Sequence, residues 1–232
     1  MKTLVNLMKF LKERTHEIAK MNHLETQEIV DGIYAVKTKD ANFYVIKNGD
    51  AYIAIDAGGG GPKIAKAELD KLNIAPEKVT AVFLTHTDLD HISALSLFKN
   101  ATIYISKQEV QVIDGSVTRM FGIVKNKLKC AYSVIEGDAE IYVGKVKVKP
   151  ILTPGHTTGS TSYLLDDKYL FVGDALSLKN GQVGWFNSLF NMDEDMHRHS
   201  IEQLAKRQDA EYIFTAHYGF SDNYGEAFQN FQ

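Results

Sequence analysis

Four times along its 232 residues, this chain runs an apolar, β-like stretch directly into a histidine or an aspartate. The stretch at 79–84 leads into Thr85-His86-Thr87-Asp88-Leu89-Asp90-His91, and the one at 145–152 into Thr153-Pro154-Gly155-His156. Residues 169–172 lead into Gly173-Asp174, and residues 212–215 into Ala216-His217. Side chains just beyond a strand project from a sheet edge, where loops held by a rigid scaffold can converge on one point. The cluster at 86–91 could not converge along a regular helix, whose side chains fan out around the axis. A plain polar loop with Asp88 or Asp90 as a helix N-cap would explain that segment alone. It would not explain three more strand ends that carry the same chemistry.

The remaining pattern supplies the scaffold. Strands are expected at 28–30 and 33–37 around Asp31-Gly32, and at 42–47 and 51–56 around Asn48-Gly49, a strong hairpin signal. The glycine run 58–61 ends that hairpin, and Pro62 opens a helix to about Leu72. The nearly all-apolar run 79–84 suits a strand buried on both faces. Helices are expected at 92–98 and 108–113, with a strand at 102–105 between them. Residues 115–129 show no clear period and read as a loop or helical insertion. The second half repeats the plan, with strands at 141–143, 145–152, 162–165, 169–172 and 212–215 and helices at 193–207 and 224–231. An aromatic loop containing Trp185, Phe186 and Phe190 separates its strands from its helix. Two similar mixed halves suggest helices outside and sheets inside.

Composition narrows the class. A net charge of −3 gives no basic field for nucleic acid, and the single cysteine, Cys130, is expected to be a buried or bystander thiol. Leu4, Leu7, Met8, Leu11 and Ile18 fall on one face at helical spacing, so residues 1–26 read as an amphipathic helix. That helix would pack on the body of the domain, residues 27–232, or on a second subunit of a homodimer. No run approaches the roughly 18 apolar residues of a membrane span, so no stable membrane insertion and a cytoplasmic location are expected. His197 and His199, two apart on a helix, cannot share an ion. His16 and His23 read as ordinary surface or packing residues.

The order and spacing of the polar strand ends resemble the metallo-β-lactamase superfamily, whose leading motif H-x-H-x-D-H is followed by a lone His, a lone Asp and a final His. The likeness extends from about Glu28 to His217 and includes Asp56 at the end of its strand. It implies an α+β fold, the four-layer αββα sandwich of the metallo-β-lactamase type. It also implies two divalent metal ions, zinc in the first place and iron or manganese as alternatives. By position the first ion would take His86, Asp88 and His156, and the second Asp90, His91 and His217. Asp174 would bridge them, and Asp56 would hold the metal loop by hydrogen bonds. Asp90 and Asp174 would be the catalytic residues of a metal-dependent hydrolase, in which a hydroxide held between the two ions attacks the substrate. That substrate would be a small molecule: an ester, thioester, lactone, lactam or phosphoester.

Asp88 departs from the family pattern, where most hydrolases carry histidine. Carboxylate is a harder ligand than imidazole, which makes manganese or iron more competitive with zinc. It also invites comparison with a diiron oxidoreductase or oxygen sensor of flavodiiron type, in which a carboxylate replaces the same histidine. A non-catalytic metal-binding protein would keep the same ligands without turnover. The absence of a tyrosine three residues past Asp174, at Ser177, weakens a lactonase reading. The loops around Met120-Phe121 and residues 185–190 could line an apolar pocket or simply cover the core.

Overall fold

Strict alternation along the hairpin over residues 42–55 decides which faces meet. In the computed structural model, which describes residues 15, 19, 21–119 and 127–231, strand β3 spans Asn42–Asn48 and β4 spans Ala51–Ile55. Phe43 and Val45 point to one apolar cluster, Tyr44 and Ile46 to another, so the sheet is buried on both faces. The two-residue turn is Gly49-Asp50, with positive φ at Gly49 alone, one residue later than the sequence suggested.

β1 (Gln27–Val30), β2 (Ile33–Lys37), β3 and β4 pair antiparallel in sequence order. β5 (Val79–Phe83), β6 (Thr102–Ser106) and β7 (Ser133–Ile135) then extend the sheet in parallel to seven strands. The second sheet begins with β8 (Ile141–Val143), β9 (Val146–Leu152), β10 (Thr161–Leu165) and β11 (Tyr169–Gly173). β12 (Ser177–Lys179) and β13 (Gln182–Gly184) form a separate ribbon. β14 (Tyr212–Thr215) joins β11 in parallel, and β15 (Phe220–Ser221) closes the six-stranded order β15-β14-β11-β10-β9-β8.

The two sheets face each other across Ile53, Phe83, Tyr163, Phe171 and Phe214. On the far side of the first sheet, Ala65 and Leu69 of the Pro62–Lys71 helix pack with Phe98. On the far side of the second, Ile201 and Leu204 of the Glu194–Ala205 helix pack with Tyr224 and Phe228. The architecture is therefore the expected α+β sandwich, with helix, sheet, sheet and helix in layers.

Three local readings change. The helix expected over 92–98 is a single turn, Leu89–Ile92, followed by a 3-10 turn at Leu95–Leu97. Its backbone is diverted into the glycine loop: Ala57 N–H donates to His91 O at 2.7 Å, and Ser93 N–H to Gly58 O at 3.0 Å. The aromatic loop contains the β12–β13 hairpin, whose turn Asn180-Gly181 has positive φ at both residues. Helical structure at 224–231 is confined to Tyr224–Ala227 and a 3-10 turn at Gln229–Phe231. Of the two expectations for Cys130, buried or bystander, its exposure fits the second. The amphipathic stripe from Leu4 to Ile18, and Met120-Phe121, lie outside the described residues. Among the described residues no helix is long and apolar enough to cross a membrane.

Candidate metal centre

All seven side chains singled out by sequence meet at one end of the sandwich. His86, Asp88, Asp90 and His91 follow β5, His156 follows β9, Asp174 follows β11 and His217 follows β14. Ligand-type atoms of His86, His156 and Asp174 lie within 4.8 Å of one another, as do those of Asp90, His91 and His217. Asp174 stands between the groups. Its Oδ2 is 3.4 Å from His156 Nε2 and 3.9 Å from His86 Nε2, while its Oδ1 is 3.3 Å from His91 Nε2 and 3.1 Å from His217 Nε2. Asp90 Oδ2 completes the second group at 3.6 Å from His217 Nε2 and 3.8 Å from His91 Nε2. His86 Nε2, His91 Nε2 and Asp174 Oδ1 are buried without a hydrogen-bond partner. Such groups are costly unless a ligand satisfies them, and together they form a donor set suited to a divalent ion.

The rings are held from behind. Asp56 sits in the left-handed region at φ 64 and accepts from Thr85 N at 2.7 Å and Thr85 Oγ1 at 2.8 Å. His91 Nδ1 lies 2.8 Å from Asp56 Oδ2, so it carries the proton and leaves the Nε2 lone pair aimed at the cluster. Thr85 Oγ1, already donating to Asp56, accepts from His86 Nδ1 at 3.1 Å and fixes that ring in the same tautomer.

Glu109 joins the first loop to the His156 loop. Its Oε1 accepts from Thr87 N at 2.8 Å and Thr87 Oγ1 at 2.6 Å, and its Oε2 from Thr157 Oγ1 at 2.7 Å. Burial pushes its carboxyl up to about 7, outweighing the hydrogen bonds from Thr87 and Thr157. Gly155 gives the His156 loop its close seat on the Glu194–Ala205 helix: a Cβ there would stand 2.3 Å from His197 Cα. His197 is itself buried and packs behind that loop, while His199, two residues on, is exposed.

Asp88 occupies the N-cap position of the short Leu89–Ile92 helix, but its side chain makes no capping bond. It is gripped by Arg119, which is 4% exposed and donates from Nε to Oδ1 at 2.9 Å and from Nη2 to Oδ2. Asp88 Oδ2 still lines the cluster, 3.3 Å from His156 Nε2 and 3.7 Å from His86 Nε2.

Residues 37–217 match the family model of the metallo-beta-lactamase superfamily. The chain belongs to that superfamily. Among its relatives, the probable metallo-hydrolase MJ0296 of Methanocaldococcus jannaschii is 34% identical over 65% of this chain and 63% of its own length. The probable metallo-hydrolase YqgX of Bacillus subtilis is 28% identical over 82% of this chain and 90% of its own. The chain thus spans less than two thirds of the first relative and most of the second. In three dimensions, the beta-lactamase from Chitinophaga pinensis shares the fold with a TM-score of 0.67 at 20% identity, covering 87% of this chain and 80% of the other.

The superfamily cluster opens on a cleft of about 280 Å³. Met21, Leu89, Phe186 and Phe190 form apolar walls, and Lys39 stands at the rim. Phe186 packs its ring 5.2 Å from that of His156, whereas Trp185 turns away to Phe231 and Arg198. Sequence reasoning missed three contributors. Arg119 lay in a stretch without periodicity. Glu109 read as part of a helix. His23 read as bland, yet its Nε2 lies 3.4 Å from His217 Nδ1 and 2.8 Å from Asp40 O. The one local signal is the Ser-x-x-Glu spacing of Ser106, the last residue of β6, and Glu109, whose N–H donates to Ser106 Oγ at 3.2 Å.

Proposed function

We propose that this protein is a metal-dependent hydrolase of small molecules, acting on an ester, thioester, lactone, lactam or phosphoester. The observation that carries the reading is the pair of ligand groups joined through Asp174, with His86 Nε2, His91 Nε2 and Asp174 Oδ1 buried without a partner. His86, His156 and Asp174, with Asp88 beside them, would hold one divalent ion, and Asp90, His91, His217 and Asp174 the other. Zinc fits the imidazole-rich set first, with iron or manganese as alternatives. When bound, such ions acidify water toward a pKa of about 7 in zinc sites and polarise the oxygen of the bond under attack.

The protein's own groups divide the remaining work. Asp90, 32% exposed on the cleft side, orients the attacking water and receives its proton. Asp174 keeps the two groups in register, and Asp56 and Thr85 fix two of the rings so that their lone pairs face the metal cluster. Phe186 and Phe190 exclude bulk water and accept an apolar substituent, and Lys39 attracts an anionic one. The redox reading rested on Asp88 as a metal carboxylate. Both Asp88 oxygens accept from Arg119, which favours hydrolysis over a carboxylate-rich diiron centre.

The test is turnover of a panel of p-nitrophenyl esters, thioesters, lactones, β-lactams and phosphodiesters by zinc-loaded protein, then after chelation, then after zinc is restored. Hydrolysis of at least one class, lost with the chelator and recovered with metal, is expected. Turnover that survives chelation unchanged, or none in any class by fully loaded protein, contradicts the proposal.

A further inference from the structure

The two ligand groups are not equivalent, and Arg119 makes the difference. Its guanidinium reaches over from the segment after the Val110–Asp114 helix and closes on the first group. The fork takes both oxygens of Asp88, Nη1 donates to His156 O at 2.5 Å, and Nη2 stands 3.1 Å from His156 Nε2. A guanidinium only donates, so His156 Nε2 is the acceptor and its lone pair is spent on Arg119. His156 Nδ1 is then the protonated nitrogen, and it has no partner. Three of the first group's candidate donor atoms are thus engaged by one fixed positive charge.

The second group carries a lighter burden: His217 Nε2 donates to Asp174 Oδ2 at 3.2 Å, and that imidazole proton can leave as an ion enters, whereas the arginine stays charged. His91 Nε2 and Asp174 Oδ1 have no hydrogen-bond partner, and Asp56 holds the His91 ring with its lone pair inward. Among the described residues, no lysine or arginine is ion-paired with Asp90 or hydrogen-bonded to His91 or His217. A cation entering the first group must displace a charge-assisted fork and work against a like charge; one entering the second meets carboxylates and imidazoles and displaces one imidazole proton.

We infer that Arg119 sits in the first ion's place as a built-in counter-cation, so that the protein binds one divalent ion tightly at Asp90, His91, His217 and Asp174. A second ion binds weakly at His86 and His156, and only as the guanidinium withdraws. This rests on the reading of the cluster as a metal centre. It makes Arg119 a positioning residue that sets metal stoichiometry, and it accounts for Asp88 in place of the usual histidine: the carboxylate is the anchor for the arginine.

The test is zinc titration of the metal-free full chain against a chromophoric chelator, for wild type and Arg119→Met. Wild type should show one tight ion and a second bound about 10- to 100-fold more weakly. Arg119→Met should strengthen the second step by about the same factor and leave the first within about threefold. Because removing a buried arginine can impair folding, long-range proton–nitrogen spectra of the wild-type histidine rings give an independent readout. At one equivalent of zinc, the His91 and His217 nitrogens should move while those of His86 and His156 stay. Two ions of matched affinity in wild type, an unchanged second step in Arg119→Met, or His86 and His156 moving first would overturn the inference and leave the hydrolase reading intact. No zinc bound at all would overturn both.

Discussion

Replacing Asp56 by asparagine should switch off both ligand groups through a change of proton positions while costing the fold little. Asparagine has nearly the shape of aspartate and tolerates the left-handed φ of 64 at this position. Its carbonyl oxygen can keep the bond from Thr85 N. Its amide nitrogen then faces Thr85 Oγ1 and His91 Nδ1, both of which now donate to the carboxylate. Donor cannot meet donor, so His91 must move its proton to Nε2. Thr85 Oγ1, turned to accept from the amide, donates to His86 Nδ1 and drives that ring to the same wrong tautomer. Each group thereby loses an imidazole lone pair. Changes in such outer partners typically cost about 10- to 100-fold in metal affinity, or about 1.4–2.8 kcal/mol per ion. The number of hydrogen bonds is preserved, so metal-free stability should fall by only about 1–2 kcal/mol, the difference between charged and neutral bonds. Chelator competition gives the first quantity and urea unfolding of metal-free protein the second. Zinc affinity within about threefold of wild type would refute the tautomer argument.

Three further outcomes follow from the same geometry. Glu109, raised to about 7 from an ordinary 4.5, binds a proton more readily folded than unfolded, so its stabilisation is complete below about 4.5 and lost as pH rises through 7. Metal-free wild type should therefore lose about 3 kcal/mol between pH 4.5 and 8 relative to Glu109→Gln; parallel urea curves at each pH would contradict this. Gly155→Ala should destabilise by more than about 3 kcal/mol, because the new methyl meets the His197 backbone and φ is 133; a melting temperature within two or three degrees of wild type would count against that packing. Asp90→Asn should lower kcat by about 10²- to 10⁴-fold with KM little changed, measured on whichever substrate the panel reveals; unaltered kcat would remove Asp90 from the proton transfer.

The strand ends were legible because they combine two local signals, an apolar run and a ligand residue just past it. That is why the strands now labelled β5, β9, β11 and β14 lead, in the sequence alone, to His86, His156, Asp174 and His217. The layer order followed from the resemblance and from the doubled strand-then-helix plan. Arg119 was not legible because its partner Asp88 is 31 residues away and the segment between carries no period that predicts where it returns. Glu109 escaped for a related reason: only the parallel β5–β6 pairing sets its carboxylate between Thr87 and Thr157. The β12–β13 hairpin is different. Its Asn180-Gly181 turn carried the same dipeptide as Asn48-Gly49, and the aromatic residues around it drew the reading toward a loop. The broken helix after Asp88 shows tertiary bonds overriding a local pattern, since Gly58 and Ala57 claim the backbone groups that would have continued it.

Everything about function depends on the seven side chains gathering round metal rather than round each other. Crystals grown with zinc and measured on both sides of its absorption edge address this directly. The expected result is an anomalous peak among Asp90, His91, His217 and Asp174, at full or near-full occupancy. Zinc found only elsewhere on the molecule, or a cluster in which His217 stays hydrogen-bonded to Asp174 at saturating zinc, would contradict it.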